Sequence, residues 1–354
     1  MKANRTDQNV GTMEIDERHR IDLAALERWM SQNVEGFRGS LEARKFKGGQ
    51  SNPTYKLTTA DRSYVLRRKP PGQLLIGAHA VDREARVMAA LGSTGFPVPR
   101  IYGLCTDDQI IGTWFYVMDC VEGRVFWDST LPEISTPYRP AYYDAMNATL
   151  AQLHQIRWQD AGLRDFGRVE GYVDRQLRRW TRQYRADLSE AGSNSDMEQL
   201  IDWLPRNLPK TEETSVVHGD YRLDNMIFHP TEPRVVAVLD WELSTLGHPL
   251  ADFAYHLMAW RLPPNIVSGL RGVDLLALNV PDERSYVADY CARTGRAEIS
   301  DLNFYLAFNM FRFAAIIHGI KARAARGTAA SAHALNLVAA LPEAASLALA
   351  QTRR

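Results

Sequence analysis

The residues best suited to chemistry fall in one run, His218-Gly219-Asp220-Tyr221-Arg222-Leu223-Asp224-Asn225, followed downstream by Asp240. Val216-Val217 leads the chain to His218, and Asp220 and Asn225 lie five residues apart on the loop that follows. Met226 to Phe228 then reads as a strand, His229 to Arg234 with Pro230 and Pro233 as a turn, and Val235 to Leu239 as the returning strand. A hairpin brings its two outer ends together. Asn225, just before the first strand, is therefore expected beside Asp240, just after the second, with Asp220 close by. Oxygen donors grouped this way suit Mg²⁺, which takes one or two carboxylates together with substrate phosphates and water. A free carboxylate beside the metal can orient or deprotonate an attacking hydroxyl. A loop whose Asp and Asn merely cap turns would carry the same residue types, so the hairpin and its terminal Asp240 give the run its weight.

The surrounding elements separate into two regions. Residues 1–19 are polar and unpatterned, as in a mobile tail. Ile21 to Trp29 has helical spacing, and between Phe46 and Leu66 the pattern changes to strand-like runs around Gly48-Gly49. His79 to Leu91 reads as a helix, and Arg100 to Leu104 and Thr113 to Met118 as strands. Beyond Gly123 helical patterns dominate, with Tyr142 to Ile156 and Val173 to Leu188 the longest before the island of strands. The Ala-rich stretch 324–350 keeps a leucine face and reads as helix. The expected class is α+β, with a small β-rich N-terminal lobe (20–118), a hinge (119–123) and a larger, mainly helical C-terminal lobe (124–354). Two hinged lobes make a cleft, where ligands bind.

Composition narrows the function. The 354 residues suggest about two domains. Lys+Arg and Asp+Glu number 42 each, so the formal net charge is zero, which excludes a strongly basic nucleic-acid binder and an acidic disordered chain. Cys105, Cys120 and Cys291 form no CxxC pair and no disulfide framework. The apolar run Leu306 to Ile317 is broken by Asn309 and Arg312 and is too short to span a membrane. No signal-peptide core, zinc spacing or GxSxG motif is present. A soluble cytoplasmic enzyme, with no nucleic-acid or membrane partner, is the expectation; the oligomeric state is open.

The run 218–225 with Asp240 resembles the aminoglycoside phosphotransferase and choline kinase-like superfamily. A closer likeness is to the kinase-like domain associated with acyl-CoA dehydrogenases, carried by Leu239-Asp240-Trp241-Glu242, Gly247-His248-Pro249-Leu250-Ala251-Asp252, Gly48-Gly49-Gln50-Ser51-Asn52 and Tyr64 to Gly72. The resemblance implies a protein-kinase-like two-lobed fold, ATP and Mg²⁺ as cofactors, Asp220 as catalytic base, Asn225 and Asp240 as metal ligands, and His218 as a brace for the catalytic loop. Asp252 reads more simply as an N-cap or loop-bracing carboxylate than as a participant in the reaction.

The same resemblance gives the nucleotide side. Gly48, Gly49 and Ser51 would lie in a loop whose backbone approaches phosphates, although a plain hairpin turn explains two glycines equally well. Arg67 occupies the place of the phosphate-pairing lysine, with Lys69 in reserve. Strand alternation puts Val65, Arg67 and Lys69 on one face. Glu84 shares a helix stripe with Val81, Ala85 and Met88 and is the expected carboxylate partner of Arg67; a purely structural ion pair is the alternative. Met118 and Cys120, leading into the hinge, would contact adenine or simply fill the core. The acceptor is less legible. Arg175, Arg178, Arg179, Arg182 and Arg185 share one side of a helix, either a solvated face or an attractant for an anionic hydroxyl substrate such as a hydroxy-acid or hydroxyacyl-CoA. The resulting expectation is an ATP-dependent small-molecule phosphotransferase. The alternatives are an aminoglycoside- or choline-type kinase and a non-catalytic nucleotide-binding scaffold.

Overall fold

The computed structural model describes residues 10–47, 52–70, 79–327 and 337–353. The chain divides into two compact units, residues 1–127 with 224–244, and residues 128–223 with 245–354.

In the first unit, strands β1 (Thr12–Met13), β2 (Glu42–Phe46), β3 (Thr54–Thr58), β4 (Ser63–Arg68), β5 (Ile101–Cys105) and β6 (Phe115–Asp119) form one antiparallel sheet in the order β1-β2-β3-β4-β6-β5. Successive strand residues point to opposite faces. Tyr64 and Leu66 accordingly join Tyr55, Leu57, Phe115 and Val117 in a core closed by Leu26 and Met30 of helix α1 (Leu23–Asn33). Asp22 starts that helix by accepting the Ala25 amide at 2.9 Å. The alternate residues pair across β4 and β6 as Val65 with Met118 and Arg67 with Tyr116. Helix α2 (Val81–Ser93) packs on β5 and β6 and buries Glu84 among Val81, Ala85 and Met88, the stripe expected from its sequence.

Two expectations for this unit change. The polar stretch up to residue 19 is not an unpatterned tail along its whole length. Residues 1–9 lie outside the described ones, but Thr12 and Met13 pair with Phe46 and Lys45, and Glu17–His19 forms a single 3₁₀ turn capped by Asp16. A two-residue strand carries no periodicity to read. The hairpin β8 (Met226–Phe228) and β9 (Val235–Val238), expected within the C-terminal lobe 124–354, belongs to the first unit. Its Phe228 exchanges two 2.8 Å backbone hydrogen bonds with Arg124, the Val238 amide donates to Pro97 O at 2.8 Å, and Trp241 meets Phe96 edge-on. Alternation marks a hairpin but not the body that buries it.

The second unit is helical: α3 (Arg139–Gln155), α4 (Tyr172–Ala186), α5 (Ser195–Trp203), α6 (Pro249–Leu257), α7 (Glu283–Thr294), α8 (Leu302–Ala325) and α9 (Leu341–Gln351) are its longer helices. Strands β7 (Ser215–Val217) and β10 (Thr245–Gly247) pair antiparallel. Helix α8 is apolar on nearly every side and is buried accordingly, against α4, α6 and α9. The Ala-rich stretch is helical up to Ala325 and again over α9, where Ala344, Ala345 and Ala348 are buried; residues 328–336 between lie outside the described ones. Among the described residues no helix is long and apolar enough to cross a membrane. His318 is a core residue as expected, with Nε2 2.8 Å from Gly192 O. His256 is likewise enclosed, 2.8 Å from the Tyr286 hydroxyl, and burial lowers it to about 4.

Gly123 shows how closely the hairpin docks. A Cβ added there would lie 2.2 Å from Phe228 O and 2.4 Å from Ile227 Cγ2. Backbone oxygen cannot yield as a side-chain tip can. Gly123→Ala is therefore expected to destabilise the fold by about 1–3 kcal/mol, read as a lower midpoint in urea unfolding; an unchanged midpoint would refute this docking.

Candidate functional site

The loop after β7 is shaped from beneath by one carboxylate. Asp252, on the first turn of α6, is 3% exposed. Its Oδ2 accepts the His218 amide at 2.7 Å and its Oδ1 the Gly219 amide at 2.8 Å. His154 Nε2 lies 3.3 Å from Oδ2, and its Nδ1 is 2.7 Å from the Tyr290 hydroxyl. Burial pushes the Asp252 carboxyl up, but His154 and the His218 contacts outweigh it and hold the group below the usual carboxylate range. Gly219 adopts φ 82°, a left-handed turn that favours glycine. His218 is fully buried, and its Nδ1 accepts the Asp220 amide at 3.1 Å. Asp252 thus has the loop-bracing geometry of its simpler reading, and His154 is a satisfied buried histidine.

Asp220 emerges from this braced turn. Its Oδ1 accepts a 2.5 Å hydrogen bond from the Tyr255 hydroxyl and lies 3.2 Å from Arg222 Nε. Burial, and then the negative charge of Asp220, push the Tyr255 hydroxyl up, so it remains a donor. Tyr221 turns inward and donates to Met146 O at 2.9 Å. Arg312 of α8 donates from Nη2 to Gly219 O at 2.8 Å. One loop therefore has supports from α3, α6 and α8, all within the second unit.

In the first unit the buried Arg67 guanidinium is surrounded by acid groups. Nε lies 2.9 Å from Glu84 Oε2, while Nη2 lies 2.8 Å from Asp240 Oδ1 and 3.8 Å from Glu242 Oε2. Glu84 also accepts from Asn52 Nδ2 at 2.8 Å and from the Tyr116 hydroxyl at 3.1 Å. Burial pushes its carboxyl up to about 7 against the pull of Arg67. Lys69 instead lies over the Trp114 ring, 3.8 Å from its centroid, so Arg67 is the cation on Glu84. Asp240 follows β9 directly in a left-handed conformation, φ 63° and ψ 60°, which Asp tolerates better than most side chains. The hairpin register pairs Met226 with Val238, and the Leu239 amide donates to Asn225 O at 2.8 Å. Asn225 is therefore next to the residue that precedes Asp240, as the spacing anticipated.

Met118 is nearly buried on β6 and, two residues from Tyr116 along that strand, shares its face; Cys120 follows the strand's end and is partly exposed. Gly48, Gly49 and Ser51 lie outside the described residues, whereas Asn52, next in that motif, is fully buried on Glu84. Among the described residues no three His, Cys, Asp or Glu side chains form a metal-binding group. Tyr255, Glu242 and Arg312 escaped the sequence reading. Tyr255 lies three positions beyond the run ending at Asp252, Glu242 closes the run 239–242, and Arg312 interrupts the apolar stretch 306–317.

Removing the cation should leave Glu84 buried without its counter-charge. Arg67→Met is expected to cost about 3 kcal/mol in unfolding free energy, most of it restored by adding Glu84→Gln; a double variant no more stable than the single one would contradict the pairing. With the folded Glu84 raised towards 7 from an unfolded value near 4.5, the folded state holds the extra proton. Its contribution to stability is present below about pH 4.5 and lost as pH rises through 7. Glu84→Gln should flatten that decline in a series of melts, and an unaltered slope would exclude Glu84 as its source.

Comparison with known proteins agrees with this architecture. The curated relatives include acyl-CoA dehydrogenase family member 10 of Mus musculus, 47% identical over 84% of this chain and 28% of that protein. Another is acyl-CoA dehydrogenase family member 11 of Gallus gallus, 43% identical over 91% of this chain and 42% of that protein. The chain thus spans less than half the length of these two relatives. Among solved structures, a Ralstonia eutropha protein provisionally described as an aminoglycoside phosphotransferase matches with TM-score 0.87 and 50% identity, covering 94% of this chain and 99% of that one. Choline kinase from Cryptosporidium parvum shares the fold at TM-score 0.59 and 12% identity, over 92% of this chain and 99% of that one. The fold is accordingly protein-kinase-like, with a small antiparallel-sheet lobe and a helical lobe. The family described as "Phosphotransferase enzyme family" matches residues 42–286, and the chain belongs to that family.

Proposed function

We propose that the chain moves the γ-phosphoryl group of ATP, with Mg²⁺, to a hydroxyl on a small anionic molecule. In this reading Arg67, held by Glu84, pairs with the α- and β-phosphates, and the loop with Gly48, Gly49 and Ser51 approaches them through its backbone. Met118 and Cys120 lie along the adenine. Asn225 and Asp240 are the metal's protein ligands. Three carboxylates gather around a single guanidinium, a local grouping of acid groups that suits a divalent cation whose remaining ligands are phosphates and water. When bound, the ion supplies charge neutralisation on the phosphoryl oxygens. Asp220 takes or orients the hydroxyl proton, while Tyr255 and Arg222 fix its carboxylate. His218 and Asp252 brace the loop without touching the reacting atoms.

The observation that carries the reading is Arg67 held between Glu84 and Asp240, a fixed buried cation joined to the candidate metal ligand. The solved ternary complex of the phosphotransferase APH(4)-Ia with ADP and hygromycin B supports a nucleotide and a small acceptor for this fold. For the acceptor we favour a hydroxy-acid or hydroxyacyl-CoA. Arg178, Arg179, Arg182 and Arg185 are exposed on α4; Asp174 and Glu198 approach Arg178 and Arg185, but Arg182 has no acidic partner among the described residues. Such a face would repel a polycationic aminoglycoside. The acyl-CoA chemistry in the names of the curated relatives is consistent with that choice.

A screen of hydroxylated metabolites with γ-labelled ATP tests the proposal. Transfer to hydroxy-acids or their coenzyme A thioesters is expected, and transfer to aminoglycosides or choline alone would overturn the acceptor assignment. Asp220→Ala should lower kcat by at least about 10³-fold with an unchanged melting temperature; full activity would reject Asp220 as the base. Tyr255→Phe should lower kcat by about tenfold with little change in nucleotide affinity, since it removes only the bond that orients Asp220.

A further inference from the structure

Arg312 is a charged residue with no counter-ion among the described residues. It is 5% exposed on α8 and interrupts an otherwise apolar stretch of that helix. Its guanidinium carbon lies 5.0 Å from the Tyr255 ring centroid and 5.8 Å from that of Trp180. Nη2 donates to Gly219 O, while Nε is buried without a hydrogen-bond partner, as is Trp180 Nε1. Nη1 is bonded to no described protein atom. The nearby carboxylates are engaged elsewhere. Asp220 is held by Tyr255 and Arg222, and Asp252 by His154 and two loop amides. Among the described residues Arg312 has no ion-pair partner.

Burying a cation without an anion is costly. Stacking near two aromatic rings recovers about 0.5–2 kcal/mol, less than the burial costs. A single carbonyl could have been capped by an uncharged donor. The arrangement makes sense if an anion completes it. Gly219 directly precedes Asp220, and the Tyr255 whose ring lies by Arg312 donates to the Asp220 carboxylate, so the unpaired charge sits beside the candidate base. We propose that Arg312 is an acceptor-binding residue that takes an anionic oxygen, of a carboxylate or a phosphate, on the molecule to be phosphorylated. The inference rests on the phosphotransferase reading and assigns that site its selectivity. The exposed arginines of α4, the helix that carries Trp180, would draw such acceptors in.

Binding to the full chain is measured by calorimetry with three probes: 3-hydroxybutyrate, its coenzyme A thioester, and neutral 1,3-butanediol. At least one anionic probe is expected to bind about tenfold or more tightly than the diol. Arg312→Gln should abolish that preference, consistent with a charge-assisted hydrogen bond, while Arg312→Lys keeps most of it. AMP-PNP affinity, unchanged in both variants, reports an intact fold. Preference for the free acid identifies a carboxylate as the ligand, and preference for the thioester alone points to the coenzyme's phosphates. A native chain that binds neither anion better than the diol overturns the proposal, as does an Arg312→Gln chain that keeps the preference. Should Arg312→Gln lose AMP-PNP binding, Arg312→Lys decides: retained preference supports the assignment, and loss with AMP-PNP binding intact rejects it. Because no readout depends on turnover, failure of phosphoryl transfer in the metabolite screen is scored separately.

Discussion

A carboxylate almost sealed from water, Asp252, organises the helical unit's candidate chemistry. Two successive backbone amides, those of His218 and Gly219, end on its two oxygens. That double grip sets the left-handed turn at Gly219 and aims the next residue, Asp220, outward. Buried amides need acceptors, so the turn and the carboxylate require one another. His154 compensates the charge, and Tyr290 in turn holds His154. The aromatic packing around Phe253 and Tyr290, stacked at 3.9 Å, is therefore continuous with the loop that bears the candidate base.

The sheet-containing unit follows the same logic with opposite sign. There the buried centre is a cation, and carboxylates gather round it. Glu84 comes from a helix, while Asp240 and Glu242 come from the turn after the hairpin. Glu84 is anchored further by Asn52 and Tyr116, so the guanidinium is held by a group that is itself immobilised. Such nesting keeps a long side chain in one rotamer, which an exposed ion pair rarely achieves.

Much of this was legible in the residues because it depended on short-range pattern. The hairpin spacing from Asn225 to Asp240, the strand alternation around Arg67 and the helical stripe containing Glu84 are local regularities, and each emerged with its expected partner or neighbour. What escaped depended on contacts between residues far apart in sequence. Nothing near Tyr255 announces that its hydroxyl reaches Asp220. Arg312 was noticed only as a break in an apolar run, since its role follows from what α4 and α6 bring to it. The pairing of Thr12–Met13 with β2 and the docking of the 226–238 hairpin on the first unit are likewise tertiary outcomes. The glycine motif at 48–51 lies outside the described residues.

The first unit is assembled from two stretches of chain separated by almost a hundred residues of the second. Arg67 and Glu84 leave the ribosome early, but Asp240 and the hairpin come only after the intervening helices have been made. During synthesis the first unit must wait, with its six-stranded sheet and helix α2 already made, for a late-arriving segment to complete it. A fragment ending near residue 127 would for the same reason contain the whole six-stranded sheet and Glu84 yet lack the Asp240 carboxylate that Arg67 also grips. Dissection of this protein by simple truncation would separate groups that fold as one body.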